Sequence, residues 1–180
     1  ETNLMNKDGI TGNLMQTSAT VGQFIKRHQE HRKEFVQHVA DMALREENIQ
    51  VMLQADILTQ MKPYLLDPVV HVRQTAMLGI GRFANYSPDA VVAIVEGEVL
   101  RGIVHKLPEQ TDAYNKASTQ LIWAVAKHSP RYAQELCDIG VLADLVTILK
   151  NNTNPYTSII ATTAAQVIGE IAEHNDELAH

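Results

Sequence analysis

The strings "RFANYSPDAVVAIVEGEVL" at 82–100 and "AVAKHSPRYAQELCDIGVL" at 124–142 decide how this chain folds. Set one above the other, they place Ser-Pro over Ser-Pro and Val-Leu over Val-Leu at an offset of 42 residues. Leu58, Leu100 and Leu142 keep the same spacing of 42 and close the segments "ADIL", "GEVL" and "IGVL". After four extra residues in the "KNNTNP" loop, "IAEHNDELAH" opens a further copy at 171. The segments "AMLGIGRFA" from 76, "STQLIWAVA" from 118 and "AAQVIGEIA" from 164 align as well.

A repeat of this length with three helical segments per unit predicts an all-α solenoid of the armadillo or HEAT type. The spacing predicts short first helices near 88–95 and 130–138, and second helices near 99–107 and 141–150. Longer third helices are expected near 69–85, 112–127 and 156–173. The first unit is carried by an amphipathic helix over 24–45, with apolar positions such as Phe24, Phe35, Val36, Val39, Ala40 and Ala43 at helical spacing. "ENIQVMLQ" and "ILTQMKPYLL" complete it. One such unit cannot close its own core, so neighbours must stack. Residues 1–22 lack periodicity and read as a polar extension, ordered only if something docks it, in front of a solenoid over 23–180. The start at Glu1 and the stop within "EHNDELAH" read as those of a fragment, cut at the start of a further repeat.

His128 and Ser129 stand side by side and raise the question of a base and a nucleophile. The equivalent positions in other copies are Tyr86 with Ser87 and His174 with Asn175, so no chemistry is tied to the place. The repeat supplies another role. Ser87 and Ser129 sit where a helix N-cap belongs, and Pro88 and Pro130 take the first helical position, where a missing N–H costs nothing. Asn175 and Asp176 fill those two places in the next copy.

The bulk chemistry narrows the function classes. Hydrophobic residues make up 45% and aromatic residues 5%, a mixture that favours packed helices over a sandwich or barrel. A net charge of −6 argues against nucleic-acid binding through the overall field. The single cysteine, Cys137, allows no internal disulfide and suits a reducing compartment. No apolar run approaches the ~18 residues of a membrane span, and the N-terminus has no signal-peptide core. An intracellular, soluble protein is expected, with neither membrane nor nucleic acid as partner.

His28, His31 and His38 share one helix, yet no carboxylate or thiol completes a metal site at a convincing spacing. Lys26, Arg27, Arg32 and Lys33 form the dense basic cluster, read either as a solvated helix face or as a contact for an acidic protein surface such as a tubulin tail. Phosphate-binding loops, dinucleotide fingerprints and nucleophile elbows are absent from the sequence. We therefore expect no enzyme, no catalytic residue, no metal and no cofactor.

"LGIGRFANYSPDAVVAIVEGEVL" and "AVAKHSPRYAQELCDIGVL" resemble the armadillo-repeat proteins of the axonemal central apparatus, the sperm-associated antigen six type. The likeness runs from about Phe24 to Ala179, and the "KHSP" or "HNDEL" helix junction is its most specific mark. It implies an N-terminal portion of a right-handed superhelical scaffold with about three to four repeats here. It also implies central-apparatus proteins as partners, a place in the cytoskeleton of cilia and flagella, and a need for the protein in motility. Nuclear import receptors offer a competing armadillo reading, in which third helices present a Trp and, four residues later, an Asn. Those positions here are Leu78 and Arg82, Gln120 and Ala124, and Gln166 and Glu170, so that ladder is missing, and Trp123 falls outside it.

Residues at i, i+4 and i+8 of a helix share a face. The candidate protein-binding residues on the concave third-helix face are accordingly Gln74, Leu78 and Arg82, then Lys116, Gln120 and Ala124, then Thr162, Gln166 and Glu170. Self-association is a second expectation, since an open solenoid end and an exposed amphipathic helix leave apolar edges to cover. A soluble adaptor or transport receptor holding peptide segments in the groove is the alternative.

Overall fold

The computed structural model describes residues 5–104, 106–151 and 158–174, with side chains from 16 onward except those of 151 and 158. The chain divides into two compact units, 1–35 and 36–180. Helix α1, Met5–Met42, begins in the first of them. It therefore starts inside the stretch read as a polar extension, which differs from that expectation. No proline lies ahead of Pro63 to stop it, and a helix once nucleated extends at one hydrogen bond per residue. All side chains over 16–23 are exposed, which explains why no apolar periodicity announced this part of the helix.

Within the second unit the repeat expectation holds closely. Helices α2, Glu46–Gln54, and α3, Ile57–Met61, with a 3-10 turn at Lys62–Leu66, finish the first copy. The next copies follow as α4, Val70–Tyr86, α5, Pro88–Glu96, and α6, Val99–Val104, and then α7, Asp112–His128, α8, Pro130–Asp138, and α9, Val141–Asn151. Helix α10, Ser158–His174, is the third long helix after α4 and α7. It packs on α7, and α7 packs in turn on α4, so the long helices stack side by side. No strand occurs among the described residues. The core repeats with the sequence: Phe83, Val125 and Ile171 occupy the same place near the ends of the three long helices, all buried.

The junctions form as their residues dictate. Ser87 Oγ accepts the Ala90 N–H at 3.3 Å and Ser129 Oγ accepts the Tyr132 N–H at 3.3 Å, with Pro88 and Pro130 at the helix starts. Gln50 Nε2 reaches across the fold to donate to Ser87 Oγ at 3.3 Å. The caps read for Asn175 and Asp176 lie outside the described residues. Removing the cap hydroxyl in Ser129→Ala should cost about 1 kcal/mol of stability in urea denaturation.

A second repeated device was not read from the sequence. Asp56, Glu98 and Gly140, each 42 residues from the next, all adopt positive φ, at 54°, 55° and 85°. Each directly precedes the next helix, so a left-handed residue turns the chain between short helices in three successive copies. Only glycine adopts that conformation without strain, whereas another L-residue pays roughly 1–2 kcal/mol. Glu98→Gly is expected to raise the urea midpoint, by the equivalent of about 0.5–1 kcal/mol after the added chain entropy, and Gly140→Ala to lower it by about 1 kcal/mol. Opposite signs at equivalent positions are the test.

Candidate functional site

The long helices α4 and α7 lie against each other and leave a groove of about 450 Å³ between them. From α4 it is lined by His71, Gln74, Thr75 and Leu78, and from α7 by Ala113, Lys116, Ala117 and Gln120. These are the same four repeat positions, 42 residues apart, at i, i+3, i+4 and i+7 of each helix. Thr75 and Ala117 are buried and form the floor, while Leu78 leaves 41% of its surface exposed. Lys116 stands exposed at the rim. The Gln74 amide donates to Thr111 Oγ1, the same hydroxyl that caps α7 by accepting the Tyr114 N–H at 3.4 Å.

The candidate residues separate into two groups. Gln74, Leu78, Lys116 and Gln120 come together in the groove. Arg82 instead turns its guanidinium onto the Ala40 carbonyl, and Ala124 is 5% exposed and lines a smaller hollow with Asn85, Tyr86 and His128. An i, i+4, i+8 choice drifts about 80° around a helix of 3.6 residues per turn, which carries its last member away from the groove. His71, Thr75, Ala113 and Ala117 were missed for the same reason. The i, i+3, i+4, i+7 pattern, applied at the repeat spacing, would have found all eight.

On α10, Thr162 and Gln166 are exposed, and Glu170 accepts the Trp123 indole N–H at 3.4 Å. Lys127 Nζ lies 4.2 Å from the centre of the Trp123 ring, so that indole is engaged at both its face and its edge. His128 leans on the Tyr132 ring at 5.2 Å between centres, while the neighbouring Ser129 hydroxyl serves as a cap. Burial and the adjacent Asp138 push the Cys137 thiol above its usual range, which lowers the share of reactive thiolate at neutral pH.

The basic cluster lies on α1. Lys33 Nζ pairs with Glu30 Oε1 at 3.0 Å, and Arg27 lies over the Phe24 ring at 5.9 Å. Lys26 and Arg27 are exposed, and Arg32 and Lys33 half-buried. His28, His31 and His38 belong to no group of three or more His, Cys, Asp or Glu able to hold a metal ion among the described residues. No described helix is long and apolar enough to cross a membrane.

No family model matches the chain. Sperm-associated antigen 6 of Mus musculus is 41% identical over 96 residues, which cover 53% of this chain and 19% of that protein. The Homo sapiens protein of the same name is 38% identical over the same shares. The match thus spans about a fifth of the length of these curated relatives. Among solved structures, computationally designed armadillo repeat proteins for modular peptide recognition superpose with a TM-score of 0.74 at 23% identity, over 84% of this chain and 64% of theirs. A designed armadillo repeat protein in complex with the peptide (KR)4 gives 0.69 at 20% identity, over 86% of this chain and 64% of that one. The chain folds as an armadillo-type solenoid, and over 96 residues its sequence is similar to sperm-associated antigen 6.

Proposed function

We propose that the chain is part of a non-enzymatic protein-binding scaffold of the ciliary or flagellar central apparatus, needed for motility, which holds partner segments along its third-helix face. The groove between α4 and α7 carries this reading, because it sets apolar side chains beside the half-buried Gln74 and Gln120 amides and the exposed Lys116 ammonium, at positions that recur in two repeats. Such a surface suits an extended segment whose backbone needs hydrogen bonds and whose side chains need pockets. The likeness to sperm-associated antigen 6 supports the flagellar setting. Within this reading 23–180 is the solenoid and 1–22 its extension. Lys26, Arg27, Arg32 and Lys33 meet an acidic protein surface, with tubulin as a candidate, and self-association covers the exposed Val21, Phe24 and Ile25.

Detergent extraction of ciliated cells carrying a tagged copy tests the proposal. Retention with the axoneme is expected, whereas a diffuse, fully extracted pool would favour a soluble adaptor and defeat the scaffold.

A further inference from the structure

Among the residues lining the α4–α7 groove there is no carboxylate. Its charge comes from Lys116, which is exposed and held by no ion pair among the described residues. His71 adds a second nitrogen donor or acceptor at the other wall. A cationic peptide entering here would lose water and meet no carboxylate among the lining residues, the exposed Asp112 standing one turn before Lys116 on α7. An acidic side chain would meet the Lys116 ammonium, at a site where the apolar wall lowers the local dielectric and strengthens the pair.

The apolar side of the groove sets a second requirement. Leu78, Ala113 and Ala117 form an apolar step between the helices, with small residues on the α7 side, which leaves room for an aliphatic side chain. Gln120 stands one turn beyond Lys116 on the same wall and offers both donor and acceptor to a passing backbone amide. The neighbouring long helix continues the theme: at the positions of Ala113, Lys116 and Gln120, α10 has Ile159, Thr162 and Gln166, again without a carboxylate. A volume of about 450 Å³ accommodates a few side chains rather than a folded domain.

Resting on the reading of this face as the partner-binding one, we infer that the α4–α7 groove selects an extended peptide segment that pairs an acidic with an aliphatic side chain, Lys116 receiving the first and the Leu78–Ala113–Ala117 step the second. This is the reverse charge preference to that of a groove holding an alternating Lys-Arg peptide.

Fluorescence anisotropy of the 180-residue chain with labelled (EL)4, (QL)4 and (KR)4 peptides at low salt tests the inference. The (EL)4 peptide should bind about tenfold more tightly than (QL)4, with (KR)4 weakest, and the gap should shrink as salt rises. Lys116→Glu, an exposed substitution whose fold is checked by circular dichroism, should remove the (EL)4 advantage and raise (KR)4 binding. Leu78→Ala should weaken (EL)4 and (QL)4 together. Binding of (KR)4 equal to or tighter than (EL)4, an unchanged (EL)4 affinity in Lys116→Glu, or binding of none of the three overturns the inference. The scaffold reading fails separately, through loss from extracted axonemes.

Discussion

Phe83→Ala will lower the unfolding free energy by about 3–5 kcal/mol, the cost of deleting a buried aromatic side chain and leaving a cavity behind. Phe83 is 0% exposed near the end of α4, the position that Val125 and Ile171 fill in the following long helices. The long helices that carry these residues pack on one another, so a cavity in one is expected to weaken coupling between neighbouring copies as well as one helix. Urea denaturation followed by circular dichroism should show an earlier midpoint with a broadened or two-step transition. A single transition shifted by less than ~1 kcal/mol would mean that Phe83 is not a core residue.

Tyr114 carries the second large effect. It is 1% exposed in the first turn of α7, and its phenol donates to the Ile103 carbonyl at 3.0 Å, tying α7 to the preceding α6. Tyr114→Ala should cost about 3–5 kcal/mol, and Tyr114→Phe about 1–2 kcal/mol, because the latter keeps the ring but leaves a buried carbonyl without its donor. Comparing the two separates packing from hydrogen bonding.

The same phenol couples stability to alkali. Burial raises its pKa far above the ordinary tyrosine value, and the nearby Arg73 only partly offsets the rise. A raised pKa means that the folded state holds its proton more tightly than the unfolded chain, so stability falls once pH climbs past ~10. Tyr114→Phe should flatten that alkaline decline. An unchanged slope in the variant would contradict the assignment.

The fold was legible because one offset of 42 residues governs caps, core and loops together. Ser87-Pro88 and Ser129-Pro130 alone located two helix starts, and the long helices followed from their apolar spacing. Two features escaped for physical reasons. Helix α1 extends back to Met5 through residues that bury nothing over 16–23, so no amphipathic pattern could mark that part. Of the three left-handed positions Gly140 carries the strong signal and Asp56 a weak one, whereas Glu98 is a residue that does not advertise positive φ. At the groove, Gln74, Leu78, Lys116 and Gln120 were readable from helix geometry, whereas the turn of Arg82 onto the Ala40 carbonyl depends on a neighbour far away in sequence.

A partner held on the third-helix face lies within reach of a photo-crosslinking amino acid placed at Gln120, in the groove, and out of reach of one placed in a separate variant at Val146, exposed on α9 away from the groove lining. Irradiated in ciliated cells, the Gln120 variant should give discrete crosslinked partner bands and the Val146 variant none. Crosslinks at Val146 alone, or equal yields at both positions, would contradict the account.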